Sequence, residues 1–180
     1  MAVLVGYATA HDSTRDIARR LAERLRARGI AAVAQSLDAV SNPAAYDAFV
    51  LGSAIHNQEW LEPAAKFVRT HHRLLKQHPT WLFSVGSVGE TSGAFPGWLN
   101  RSIARFRGES KQLRRYREGT GARGHRYFAG VVRSDVPNVA GKTLVTVFRG
   151  RYGDHRDWAD IAAWADSIAR ELSASKSARR

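Results

Sequence analysis

Apolar residues along the chain alternate between short unbroken runs and stripes of helical period. Val3-Leu4-Val5-Gly6-Tyr7 reads as a buried strand. Ile17, Ala18, Leu21, Ala22 and Leu25 then fall on one helical face, and Gly29 supplies a stop. Ala31 to Ser36 is a weaker second strand, Asn42-Pro43 a turn, and Ala48 to Ser53 a strong third strand. Leu61, Ala64, Ala65, Val68 and Leu75 form the next helical stripe. Trp81 to Val85 is the fourth strand and Tyr127 to Val132 the fifth. Trp158, Ile161, Ala162, Ala165, Ile168, Ala169 and Leu172 make a closing helix. Strands alternating with helices predict a parallel sheet covered on both faces.

Two stretches break the rhythm. Glu90 to His125 shows neither period cleanly, and Val139 to Arg149 fits an extra strand or a short helix equally. There is no internal repeat or linker. The expectation is one α/β domain over residues 1–173, with an insertion at about 91–125 and a basic tail at 174–180.

Charge sharpens this division. The net charge is +12, and residues 101–126 alone hold nine Lys or Arg against Glu109 and Glu118. Such a local excess suits a solvated surface or an anionic partner, including an acidic protein or a membrane surface. Only Phe106 and Tyr116 punctuate this stretch as stacking residues, which argues against single-stranded nucleic acid. The chain has no cysteine, so disulfides, thiolate catalysis and cysteine-bound metals are excluded. That composition fits a cytoplasmic protein, peripheral at a membrane if the basic stretch attaches it. No apolar run approaches a membrane span, and the N-terminus reads as a first strand, not a signal peptide. Electron chemistry would need an organic cofactor.

The chemistry-bearing candidate is the junction after the first strand, Tyr7-Ala8-Thr9-Ala10-His11-Asp12-Ser13-Thr14. Hydroxyls and small residues at a strand-to-helix turn bring backbone N–H groups and the positive helix end together, which suits an anion. Ser13-Thr14-Arg15-Asp16 also fits a capping box, so capping and binding both remain open. Other chemistry falls away on spacing. Ser87 lacks the glycine of a nucleophile elbow. Val136 stands where a P-loop ending in Gly141-Lys142-Thr143 needs glycine. His71, His72 and His78 do not share a metal-binding geometry. Asp154 and Asp157 are expected to cap and charge the last helix.

Thr9-x-x-x-x-Thr14 with Tyr7, Ala18 and Leu21 resembles the phosphate signature of flavodoxins. The likeness extends through Val50 to Ile55, Trp60-Leu61, Trp81 to Ser84, Phe128-Ala129-Gly130 and Gly153 to Trp158. Together these segments resemble flavodoxin-domain proteins related to menaquinone-dependent protoporphyrinogen dehydrogenase. Asn100 to Phe106 is distantly similar to the long insertion of that group. The resemblance implies a doubly wound, flavodoxin-like five-stranded parallel sheet in the order 2-1-3-4-5, with the basic insertion before the fifth strand. It also implies FMN as cofactor and a quinone, a porphyrinogen or a protein as redox partner. Under it, Thr9, Ala10, His11, Asp12, Ser13 and Thr14 hold the phosphate. Ala54, Ile55, His56, Asn57 and Trp60 flank one flavin face, with Trp60 either covering the ring or entering the core. Gly86, Ser87, Val88, Gly89 and Glu90 address the polar edge of the ring.

Departures from the family pattern fall in these same loops. Asp12 stands where glycine is usual, and a left-handed backbone there costs a non-glycine residue roughly 1–2 kcal/mol, less for Asp. Its carboxylate is expected to accept first-turn N–H groups and so to occupy the anion position itself. At about 6 Å and an effective dielectric near 20, each pair of like unit charges repels by about 3 kcal/mol. Ala10 stands where relatives often carry lysine, and His56-Asn57-Gln58-Glu59 replaces a loop that usually holds an aromatic residue and a glycine. The sequence therefore admits three functions: an FMN redox protein, the same fold with a degenerate site working as a binding or regulatory module, and, least favoured, a nucleic-acid binder through the Arg101–Arg126 stretch.

Overall fold

The computed structural model describes residues 1–106, 109–132 and 152–177, without the side chains of residues 101, 103–106, 176 and 177. Val136, the ambiguous stretch Val139–Arg149 with Gly141-Lys142-Thr143, and the tail residues Arg179 and Arg180 lie outside the described residues. In chain order the elements are β1 (Ala2–Ala8), α1 (Ser13–Ala27), β2 (Ala31–Ser36), β3 (Ala48–His56), β4 (Glu59–Trp60), α2 (Glu62–Gln77) and β5 (Thr80–Gly86). They continue with α3 (Gly97–Phe106), α4 (Lys111–Thr120), β6 (Gly124–Ala129), β7 (Val131–Val132), β8 (Gly153–Asp154) and α5 (Trp158–Ser177).

Five strands form a parallel sheet in the order β2-β1-β3-β5-β6, the predicted doubly wound order once the two-residue β4 is set aside. Registers run Ala2↔Ala31, Val3↔Ala48, Phe49↔Thr80 and Trp81↔Gly124 at the strand starts. Side chains alternate between two faces, as the pleat requires. Val3, Val5, Trp81, Phe83 and Val85 pack under α1 and α5, beside Ile17, Leu21, Ile161 and Trp164. Leu4, Phe49, Leu51 and Leu82 pack under α2 and α4, beside Phe67, Val68, Leu75, Leu113 and Tyr116. Burying each such side chain contributes about 1.5–3 kcal/mol, so the two faces set the fold. Across the first face, Arg24 and Arg28 both grip Asp166 at 2.7–2.9 Å, tying α1 to α5. The Arg28 and Arg24 guanidinium groups hold its carboxyl well below the usual range. Gly29 ends α1 at φ +77 as the sequence implies.

Two expectations shift. The fifth strand starts at Gly124, three residues early, and stops at Ala129. His125 and Arg126 are polar but answered, His125 by Ser84 Oγ at 2.9 Å and Arg126 by Asp160 of α5, so their strand character is invisible to hydropathy. Gly130 follows the strand end in close contact with β5: a Cβ there would stand 2.8 Å from Val85 Cγ1, and its N–H goes to the Gly86 carbonyl. Val131 and Val132 then leave the main sheet and pair antiparallel with β8.

The second shift concerns the basic insertion. Its latter half is the ordinary β5-to-β6 crossover helix, α4. Ser110 caps this helix by accepting the Leu113 N–H at 3.2 Å, and Gly121 closes it at φ +62. Its buried stripe is only Leu113, Tyr116 and Thr120, too narrow to stand out among the surrounding arginines. The added segment is thereby reduced to residues 87–110, carrying α3. Among the described residues no helix is long and apolar enough to cross a membrane.

Candidate functional site

Three loops leave the carboxyl ends of β1, β3 and β5, the edge where ligands of doubly wound sheets bind. In the first, Ala10, His11 and Asp12 are exposed, Thr9 and Ser13 half-buried, and Thr14 fully buried. Asp12 adopts the left-handed conformation at φ 63, as expected of a position where glycine is usual. Its carboxylate does not cap the helix, which corrects the expectation that it fills the anion position. It makes no side-chain cap hydrogen bond and pairs with Arg15 Nη1 at 3.0 Å instead. The capping box fails for a related reason. Asp16 turns to Arg156 at 2.9 Å, leaving the first-turn N–H groups unserved by its carboxylate.

Polar satisfaction singles this loop out. Among the described residues, three buried side-chain polar atoms lack a hydrogen-bond partner: Thr9 Oγ1, Thr14 Oγ1 and Arg15 Nε. All three can donate, and all lie within seven residues at one strand-to-helix turn. A buried unpaired donor costs about 1–3 kcal/mol, so native structures seldom keep several together without a use.

The second loop is a tight hairpin. β4 pairs antiparallel with the end of β3, Ile55↔Trp60 and His56↔Glu59, around Asn57 and Gln58 at φ 50 and 66. Two successive left-handed residues make the primed turn that suits hairpin twist. Ala54 and Ile55 are half-buried, and His56 and Asn57 point into solvent. Trp60 enters the core. It is 5% exposed, its ring tilts against Tyr116 at 5.6 Å, and its indole Nε1 donates to Ser84 Oγ at 2.7 Å. Its backbone N–H donates to Gln112 of α4, so α4 holds this loop in place. Of the two roles open to Trp60, the core takes it, and His56 is left as the ring residue facing outward.

The third loop closes on itself. The Gly89 N–H donates to the Ser92 carbonyl at 2.8 Å, Glu90 N–H to Tyr127 at 3.1 Å, and Ala94 N–H to Ser87 at 2.9 Å. Ser87 and Glu90 are exposed, Gly86 half-buried, and Val88 and Gly89 buried. Val88 forms a small satellite core with Ala94 and Phe95. Gly89 presses on β6 so closely that a Cβ would stand 2.4 Å from the Ala129 nitrogen. Trp98 beyond it is 65% exposed.

A fourth element, with no sequence signal beyond its charges, joins the first loop from far along the chain. Arg156 reaches Asp16 at 2.9 Å, grips Asp154 at 2.6 Å and lies over the Trp158 ring at 4.6 Å. Its hydrogen bond holds the Asp154 carboxyl below its ordinary range. Asp154 thus serves Arg156 and not the last helix, whereas Asp157 caps α5 by accepting from the Ala159 and Asp160 N–H groups. The histidines set aside as metal ligands are engaged: His72 with the Arg69 carbonyl, His78 with that of Asp47, and His71 against Phe67.

This edge, with its three loops beside β1, β3 and β5, defines a flavodoxin-type domain. The chain belongs to the flavodoxin domain family, whose model matches residues 4–157. Solved structures agree on the fold. Rubredoxin oxygen:oxidoreductase from Desulfovibrio gigas is 21% identical with TM-score 0.61, over 96% of this chain but 36% of that one. A mutant flavodoxin from Pseudomonas aeruginosa is 15% identical with TM-score 0.61, over 96% of this chain and 99% of the other. Oxidised flavodoxin 2 from Bacillus cereus is 17% identical with TM-score 0.56, over 95% and 99%. The chain therefore spans about a third of the first of these proteins and nearly all of the other two. No curated protein matches the chain.

Proposed function

We propose that the chain is an FMN-binding redox protein of flavodoxin type, with the phosphate held by the turn from Thr9 to Thr14. The observation that carries this reading is the pair of buried threonine hydroxyls without a hydrogen-bond partner at that turn, with Arg15 Nε beside them held only by an ion pair to Asp16. A phosphate dianion supplies several strong acceptors, and the amino end of α1 adds its positive dipole. The residues present fit the phosphate end of the cofactor. The ring would lie between the Ala54–Asn57 backbone with His56 and the Gly86–Glu90 loop. When bound, the cofactor supplies the electron chemistry, and the protein supplies position, electrostatics and exclusion of water. The likeness to the protoporphyrinogen dehydrogenase group makes a quinone or a porphyrinogen candidate reactants beside a redox protein.

A partner of negative charge is favoured by the α2–α4 face. Eight Lys or Arg on these two helices stand against Glu62, Glu118 and the neighbouring Glu109, which takes Arg117 at 2.9 Å. Lys66, Arg73, Lys76, Lys111 and Arg115 sit exposed there. We place the protein in the cytoplasm on the same reading, with this face free to meet an acidic protein or an anionic membrane.

One observation favours the alternative, a binding or regulatory module with a degenerate flavin site. The Gly89 and Glu90 N–H groups already have partners, so the third loop has few donors left for a ring. An FMN fluorescence-quenching titration decides between the two. Saturable quenching with flavin absorbance in the purified protein supports the redox reading, and no quenching up to high micromolar FMN would sink it.

A further inference from the structure

We propose that Arg15 makes the first loop selective for a phosphorylated ligand, and that Asp12 holds its guanidinium ready at the loop. The inference rests on the reading of this loop as a phosphate site. Arg15 lies in the first turn of α1, and helical side chains lean toward the amino end. Its guanidinium accordingly folds back to the loop, with Nη1 on Asp12 Oδ1 at 3.0 Å. Nε is buried without a hydrogen bond, and its nearest carboxylate oxygen, Asp16 Oδ1, stands 3.5 Å away. A guanidinium carries five donors in a planar fork matched to phosphate oxygens, and Asp12 occupies one edge of it.

Asp16 is shared between two arginines, with Oδ1 3.5 Å from Arg15 Nε and Oδ2 2.9 Å from Arg156 Nη1, and Arg156 is itself gripped by Asp154. The result is a chain of alternating charge, Asp12–Arg15–Asp16–Arg156–Asp154, that begins at the loop. Arg15 answers the missing lysine at Ala10 and offsets the carboxylate that Asp12 brings to the site. Thr9 and Thr14 serve any acceptor, whereas Arg15 distinguishes a dianion from a neutral hydroxyl. It touches the phosphate alone, so it sets the preference for FMN over riboflavin and leaves ring binding unchanged.

The test measures FMN and riboflavin dissociation constants by fluorescence quenching, for the wild type, Arg15→Gln and Arg15→Lys. A flavin-free arm follows the thermal midpoint with inorganic phosphate against chloride at equal ionic strength. Arg15→Gln should weaken FMN roughly ten- to a hundredfold, the range of a lost charge-assisted bond, with riboflavin unchanged. Arg15→Lys should recover part of the difference, because it restores charge without the fork. Phosphate should raise the wild-type midpoint and lose that effect in Arg15→Gln. An unchanged FMN-to-riboflavin ratio in both variants would overturn the inference while leaving flavin binding intact. If the wild type binds no flavin, Arg15-dependent phosphate stabilisation keeps this inference and discards the flavin. If phosphate has no effect either, both fall.

Discussion

The first and third loops leave the same sheet edge on either side of β3, yet they treat their polar groups in opposite ways. The turn from Thr9 to Thr14 buries two hydroxyls and leaves them unpaired. The Gly86–Phe95 loop spends its N–H groups on its own carbonyls and on β6, and tucks Val88 and Phe95 into a small core. One loop carries strain and unmet donors, which makes sense for an anionic guest. The other is stable by itself. A family likeness spreads site residues evenly over both, and the energetics do not.

Gly89→Ala should break the self-sufficient loop. A methyl 2.4 Å from backbone nitrogen cannot be relieved by a rotamer, so the cost should exceed the about 1–3 kcal/mol of ordinary overpacking. Chemical denaturation should read a clear fall in midpoint. Stability unchanged by this substitution would mean the loop and β6 separate easily, and the contrast would disappear.

Thr14→Val tests the other side with the opposite sign. Removing an unpaired buried hydroxyl should leave the free protein as stable as before, or more so by up to about 1–3 kcal/mol. FMN affinity should fall roughly ten- to a hundredfold in the same protein. Lower stability with unchanged affinity would make Thr14 an ordinary core residue.

Asp12→Gly should be gentler. Relief of the left-handed backbone gains up to about 1 kcal/mol, partly cancelled by the greater freedom of glycine when unfolded. Thermal unfolding should show a small rise or none. A large loss would show that the Asp12–Arg15 contact holds the turn together.

The smallest effect on stability belongs to Lys111, Arg114 and Arg115. Replacing all three with Ser should leave the midpoint within about 0.5 kcal/mol, because exposed charges contribute little. Adsorption to a polyanion such as heparin should weaken, with the difference fading as salt rises. Loss of folding would make this face a structural one and remove the argument for an anionic partner.

Much of the fold is legible in the sequence because its core strands are continuous apolar runs and α1 carries an unbroken stripe. α4 escapes because three buried residues suffice for a helix already roofed by α2. The start of β6 escapes because its polar side chains are answered from other elements. The site is legible only in outline. Thr9 and Thr14 are picked out by the resemblance to the flavodoxin signature, and the left-handed Asp12 by the glycine usual there. The direction of its carboxylate depends on Arg15 one turn on, and the sharing of Asp16 on Arg156, 140 residues away. Trp60 is decided by a hydroxyl on β5 and an amide on α4, neither of which any local pattern announces.

Arg156 also ties together parts of the chain that would otherwise open independently. Through Asp16 and Asp154 it fastens the first turn of α1 to β8 and the approach to α5, and the His155 N–H to the Gly130 carbonyl adds a second tie. Amide hydrogens in these separate segments should therefore exchange with solvent as one cooperative unit. An anion seated at Thr9–Thr14 would slow exchange near residues 154–157 as well as in its own loop. The footprint of a small ligand on this protein would then be read in two places far apart in sequence.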